Sequence, residues 1–567
     1  VRERGSARRA GDGPLTVSLL AVILAGAAAL RLWGFGWGLY NSTVSRRPHP
    51  DEWVVYWVSH WFGKYGSLTP CPRPGTECFF DWGGVFLYLS YALHALLQPF
   101  LDLIPRSMMG PGADKQFIHA VVAGRATSAL LSIATVYLTF RLGRAAGGKY
   151  VGLAAAAFVA LSGLLIELAH FATPDSTTIF FLTATLWSAV EHARAPTGAA
   201  LVRTGALAGI ATGSEYNMAL LVLPLAAAWA CASVRRLSWL GWSLAGVCVA
   251  WIAVNPFAVL QWRAFLDVGL HSLRTRTVES ARQYGNRFDA YGPAWLYVVR
   301  YPLGYGVGFA STAWMVAGVV WGVMRRSRAE IVLLAWIIPY FTLVTLSPAK
   351  FMRYSAPLIP ALSVLAAELA VVLILVPLRW PRVVAVAASL LALLYSSGYD
   401  AAYTALFGQT DSRAEAAAWI ERHASPGTAI GFQEIPDGLL NLPYFVAPAG
   451  YQPCFSRFSV SRLEGPARYL LTDSYEREAH VLVSSAQVDQ FLSTLSRLPG
   501  YRMVDRINHV PSLGPLTFPI GASPHDWRYA AHTITIYAHI APSVNIGNYC
   551  FPTLQQAVQV LYVPPPA

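Results

Sequence analysis

Eleven stretches of this chain are apolar enough to be read as membrane spans: 15–34, 119–141, 150–169, 176–192, 200–213, 216–233, 238–254, 295–323, 330–347, 355–377 and 381–398. A helix needs about 20 mostly apolar residues to cross the hydrocarbon core. Inside that core every backbone N–H and C=O must be paired locally, so such a chain folds as a helical bundle. The stretch 200–213 is short and reads as tilted or partly re-entrant. Only 13% of the residues are charged, against about 25% in a soluble domain. Nineteen Trp and 27 Tyr are enough to line both membrane interfaces. The fold class is therefore a polytopic α-helical membrane protein of about 11 spans, within a range of 11–13. The net charge of +12 does not point to nucleic acid, because the basic residues fall in short clusters between apolar runs.

Those clusters set an expected orientation. Arg2, Arg4, Arg8 and Arg9 precede an apolar run that begins at Leu15. This resembles a signal peptide, but the run continues to Leu32 without a small-x-small cleavage site, so a retained first helix is expected. A cytoplasmic N-terminus puts Arg141, Arg144 and Lys149 inside, and likewise His192, Arg194 and Arg203. Arg235-Arg236, the group Arg325, Arg326 and Arg328, and Arg379 with Arg382 follow on the same side. The count closes only if the apolar segment 83–104 does not cross. It is expected to lie along the outer interface or dip in and return, and His94, Gln98 and its tyrosines suit that position. The alternative is that it spans and another segment is miscounted. A cysteine probe at residues 107–113 is expected to be labelled from outside; labelling from the cytoplasm would overturn the orientation.

Residues 1–399 then form a transmembrane module whose first exterior loop is 35–118. Residues 400–567 form an exoplasmic domain, where charged residues and short alternating runs such as His480-Val481-Leu482-Val483 indicate an α/β or α+β fold. No internal repeat is evident. Of six cysteines, Cys231 and Cys248 lie in spans, and Cys71, Cys78, Cys454 and Cys550 lie outside. Four cysteines allow three pairings, and proximity favours Cys71–Cys78 and Cys454–Cys550. Zinc is the other reading, without the usual C-x-x-C spacing. Asn41-Ser42-Thr43 matches a glycosylation acceptor but lies so close to the membrane that it reads as incidental.

The polar chemistry gathers on the outer side. Asp51 and Glu52 follow His49-Pro50 just past the first span, and acids at a membrane edge are functional candidates by default. Asp175, in Pro174-Asp175-Ser176, is a second candidate, although an acid at a helix start also satisfies capping logic. Glu215-Tyr216-Asn217 opens a span at the same level. Lys350 and Arg353 are three residues apart, on one face if helical; as bases outside, they run against the positive-inside trend, and snorkelling is their plainer reading. Arg125, a turn into the second span, needs an anionic partner. A carboxylate can take the proton of an acceptor hydroxyl or amine, and Lys and Arg can hold a departing phosphate. These parts suit group transfer from a lipid-linked phosphate; they do not say that the moving group is a sugar.

Four landmarks carry a resemblance: His49-Pro50-Asp51-Glu52, then Gly124-Arg125-Ala126 opening a span that ends Arg141-Leu142-Gly143-Arg144, then Pro174-Asp175-Ser176, then Lys350-x-x-Arg353-Tyr354 with Pro357 and Pro360. Over residues 15–400 the chain resembles the GT-C glycosyltransferases of the protein O-mannosyltransferase and aminoarabinose-transferase branch (glycosyltransferase family 39). The resemblance implies transfer of a sugar, usually with inversion, from a polyprenyl or dolichyl phosphate on the exoplasmic side of a plasma or inner membrane. It implies that Asp51 is the base or acceptor-orienting group. Glu52 and Asp175 would support it, or hold a divalent metal with it where one is used; no other cofactor is implied. Lys350 and Arg353 would engage the donor phosphate, with Arg125 a further contact and His49, Asp81, Glu215, Tyr216 and Tyr354 beside them. Two departures make the site more acidic. Relatives often carry lysine where Glu215 stands, and the usual Lys-Pro-Pro-like entry to the interfacial helix reads Phe80-Asp81-Trp82-Gly83-Gly84. Both changes favour a metal or a cationic acceptor.

Two other functions use the same features differently. A transporter would run its path along buried charges, but inverted repeats and broken helices in matched halves are not evident. A structural subunit of a membrane complex would tolerate neutralisation of Asp51 and Asp175 together.

Overall fold

The computed structural model describes residues 13–39, 49, 51–71, 78–104, 115–274, 291–347, 349–432, 451–455, 467–474, 485–497, 500–518, 520, 523–540 and 550. Pro50, Asn41-Ser42-Thr43, 107–113 and the N-terminal arginines lie outside them. Helix α1 is Pro14–Leu32. The stretch between α1 and the next long helix holds α2 (Glu52–Tyr65) and α3 (Gly84–Leu101). The bundle continues through α4 (Lys115–Gly147), α5 (Lys149–Ala160), α6 (Gly163–Ala169), α7 (Asp175–Arg194), α8 (Gly198–Thr212), α9 (Val222–Cys231) and α10 (Leu237–Val254). After the short α11 (Pro256–Leu260) and amphipathic α12 (Trp262–Arg274) come α13 (Ala294–Val298), α14 (Phe309–Arg325), α15 (Arg328–Leu346), α16 (Ile359–Leu375) and α17 (Arg379–Leu406).

All eleven expected stretches are helical. Among the described residues, however, seven helices are long and apolar enough to cross, or eight if α5 and α6, bent by 61°, make one span. Several of the expected stretches fall short of that criterion in length or polarity. The α8 helix has 15 residues. A 3-10 turn, Tyr216–Leu221, shortens α9, and a π-helical segment, Val299–Tyr305, with Pro302 inside it interrupts 295–323. Helix α7 is rich in Thr and Ser and is absent from the seven, whereas α3 is among them. The class itself, a polytopic helical membrane protein, stands.

Helix α3 begins where three turns meet. The Gly83 N–H donates to Ser214 O at 3.1 Å and the Gly84 N–H to Asn255 Oδ1 at 2.7 Å. A side chain at Gly83 would meet the Gly213 carbonyl at 1.9 Å, so only glycine permits this approach. At the far end Asp102 pairs with Lys115, the first residue of α4, at 2.8 Å.

The tail carries α18 (Ser412–His423), α19 (Ser485–Leu495) and a mixed five-stranded sheet of order β2-β1-β3-β7-β4. Its strands are β1 (Ala429–Phe432), β2 (Gln452–Phe455), β3 (Tyr469–Asp473), β4 (Tyr501–Asn508) and β7 (Thr533–His539). β1 pairs parallel with β2 and β3, and β7 pairs antiparallel with β3 and β4. Ala416 and Ile420 of α18 pack on Ile430, Ile534 and Ile536 of the sheet. A small hairpin, β5 (Ser512–Leu513) with β6 (Leu516–Thr517), precedes β7. Cys71 is bonded to Cys78, and Cys454 to Cys550.

Candidate active site

The two adjacent acids have different surroundings. Asp51 precedes the first residue of α2 but makes no side-chain capping bond; its Oδ2 instead accepts from Arg353 Nη1, 302 residues away. Both side chains are partly open, at 28% and 21%. Glu52, one helical step on, points into the protein. Its carboxylate takes Arg125 Nε at 2.7 Å and Nη2 at 3.0 Å, and Oε1 also accepts the Ala172 N–H at 3.1 Å. Arg125 Nη1 donates to Phe35 O and Trp37 O. At 0% and 1% exposure this is a closed, bidentate buried pair.

That arrangement corrects one expectation. Arg125 is engaged by Glu52 and two carbonyls and is sealed from any donor phosphate. It also takes Glu52 out of the expected metal set of Asp51, Glu52 and Asp175. Among the described residues there is no group of three or more His, Cys, Asp or Glu that could hold a metal ion.

Around the open pair the structure gathers several expected residues. Asp175 opens α7 and is buried within the electrostatic reach of both Arg353 and Asp51. The Arg353 guanidinium lies over the rings of Phe351 and Tyr354, at 5.5 and 5.8 Å. It sits on a 3-10 turn, Met352–Leu358, because Pro357 and Pro360 restrict the entry to α16. The His49 ring is packed between Phe171 and Tyr529, at 4.6 and 4.3 Å, and its Nδ1 accepts the Asp51 N–H at 3.1 Å. Burial holds the imidazole pKa down at about 3, despite the opposing field of Asp51, so His49 stays neutral and braces the Asp51 backbone. Lys350 Nζ donates to Ser347 O, and burial lowers its pKa.

Other candidates lie further out. Tyr340 donates to Tyr354 O at 3.1 Å and accepts from Asn217 at 3.4 Å, and it feels the charges of both Glu215 and Asp175. Tyr216 donates to Trp82 O at 3.3 Å. Asp81 accepts from Ser272 of α12, which places it in the first-loop packing.

Sequence reasoning missed what the tail contributes. Residues 523–531 reach into the membrane module. Asp526 Oδ2 accepts the Met352 N–H at 2.6 Å. Trp527 is fully buried against Tyr403, ring centres 4.4 Å apart, and its Nε1 donates to Tyr399 at 2.9 Å. Glu167 of α6 accepts from the Tyr403 hydroxyl at 2.8 Å. Only the cluster of an acid with aromatics at Asp526-Trp527-Arg528-Tyr529 could have hinted at this.

Residues 117–262 match the family described as dolichyl-phosphate-mannose-protein mannosyltransferase. The resemblance to that mannosyltransferase family therefore stands over this segment, which contains Arg125, Asp175, Glu215 and Tyr216. No curated protein matches the chain significantly. Among solved structures, ArnT from Cupriavidus metallidurans bound to undecaprenyl phosphate is 16% identical, over 96% of this chain and 100% of that one, with a TM-score of 0.44. The archaeal oligosaccharyltransferase AglB from Archaeoglobus fulgidus, in complex with an inhibitory peptide and a dolichol-phosphate, is 13% identical over 82% and 70%, with a TM-score of 0.43. The S. cerevisiae protein O-mannosyltransferase Pmt1-Pmt2 complex, bound to the sugar donor, is 18% identical over 45% and 35%, with a TM-score of 0.33.

Proposed function

We propose that this protein is a membrane glycosyltransferase of GT-C type. It moves a sugar from a polyprenyl-phosphate-linked donor to an acceptor at the exoplasmic face, with inversion. The observation that carries the reading is the ion pair of Asp51 with Arg353 at a partly open edge beside Asp175. The matched family supports a lipid-phosphate donor.

In this mechanism the acceptor O–H or N–H attacks the anomeric carbon, and the bond from that carbon to the phosphate oxygen breaks. The phosphate leaves on its lipid with the bonding electrons, and Asp51 takes the acceptor proton. Arg353 changes partner, from Asp51 in the resting chain to the phosphate as its charge develops. Lys350, whose Nζ donates to the Thr345 and Ser347 carbonyls, turns to the same phosphate. Asp175 keeps Arg353 in place, and the Glu52–Arg125 pair fixes the start of α2 so that Asp51 faces the acceptor.

The test is incubation of membranes with a panel of polyprenyl-phosphate sugars, following release of polyprenyl phosphate. Arg353→Ala is expected to lower turnover by about 10²–10³-fold, the cost of one transition-state donor. No turnover by the wild type on any donor would sink the reading, and unchanged turnover in Arg353→Ala would sink the role of that residue.

A further inference from the structure

We infer that Asp526, supplied by the exterior domain, is a positioning residue for Arg353, so that the membrane site is set by a contact the tail makes. The contact is specific. The Asp526 carboxylate accepts the main-chain N–H of Met352 at 2.6 Å and lies within the electrostatic reach of Arg353. That N–H group opens the 3-10 turn that carries Arg353. The first N–H groups of a helical turn have no partner within it, and here a carboxylate from 174 residues away provides one. The other oxygen, Oδ1, is buried and has no hydrogen-bond partner among the described residues.

The segment that delivers Asp526 is held at several points. Trp527 is clamped by Tyr399 and Tyr403 of α17, and Tyr529 packs on His49 and Phe171. Downstream, His532 pairs with Asp473 of β3 at 2.9 Å, and the Thr533 N–H donates to Ser474 at 2.9 Å. The sheet thus fixes the loop, the loop fixes Asp526, and Asp526 fixes the turn under Arg353.

The charged and titratable groups facing Asp526 are Arg353 on its own turn, Glu167 of α6, Tyr297 of α13 and Tyr403 of α17. Burial pushes the Asp526 carboxyl up to about 6, opposed by the Met352 N–H and the Arg353 charge. It is ionised above that pH and protonated below. The ionised form is the stronger acceptor, so Arg353 is held best above pH 6.

The test has two arms, and only the rate arm rests on the glycosyl-transfer reading. In hydrogen exchange on the full chain, Asp526→Ala is expected to lower protection of the Met352 amide by at least about tenfold, with the β7 amides unchanged. In the rate arm, wild-type turnover is expected to fall as the pH drops through about 6. Asp526→Asn, which keeps shape and an acceptor oxygen, is expected to run at the low wild-type rate across that range, with no step there. Unchanged protection in Asp526→Ala, or a step near pH 6 that survives in Asp526→Asn, would overturn the inference. A wild type inactive on every donor would defeat the proposed function while the exchange arm still decided the role of Asp526.

Discussion

Asp51→Asn is expected to lower sugar transfer by about 10²–10⁴-fold, the usual worth of a positioned general base, in a protein that still folds. The substitution keeps the shape of the side chain and removes its charge. Asp51 makes no capping bond to α2; its charge at a helix N-terminus is worth about 0.3–1 kcal/mol, and its pair with Arg353 is partly exposed. Release of polyprenyl phosphate and the thermal midpoint, measured on the same preparation, separate the two effects. Equal turnover in the variant and the wild type would refute the base assignment. A midpoint lowered as far as that of a core variant would mean that Asp51 is structural.

Glu52→Ala is expected to do the opposite, destabilising the protein by about 3–5 kcal/mol because it leaves Arg125 buried without its counter-ion. The pair joins α2 to α4, and through Phe35, Trp37 and Ala172 it also ties the first-loop turn to the turn before α7. A cavity adds to the cost. The paired change Glu52→Leu with Arg125→Leu is expected to recover much of the loss, since well-packed apolar groups often replace a buried ion pair at little cost. Thermal unfolding of the three proteins in one detergent provides the comparison. If Glu52→Ala kept its midpoint and lost only activity, Glu52 would belong with Asp51 at the chemistry.

Much of this was legible in the chain. The apolar runs marked the long helices of the bundle, because a segment in lipid must pair its own backbone and so announces itself locally. Among the described residues, seven helices, or eight with one bent pair, are long and apolar enough to cross. Pro302, the Thr-rich face of α7 and the brevity of α8 shorten or break segments whose mean hydropathy still looks like a span. The tail was recognisable as a mixed α and β domain from its short alternating runs. Its insertion at residues 523–531 was not, since a loop gains its place from the Tyr399 and Tyr403 rings that receive it and from nothing in its own periodicity.

The sequence by itself determined the membrane bundle, the mixed α and β tail and the suspect acids, Asp51 with Glu52 and Asp175, because hydropathy and the cost of charge near lipid are properties of short segments. Only the tertiary structure decided what each acid does. Adjacent residues at a helix start point in different directions, so Asp51 reaches Arg353 at the open edge while Glu52 closes on Arg125 in the interior. It also brought Asp526 beneath the turn of Arg353. Partners 73, 174 and 302 residues apart are chosen by packing, and no local pattern encodes them.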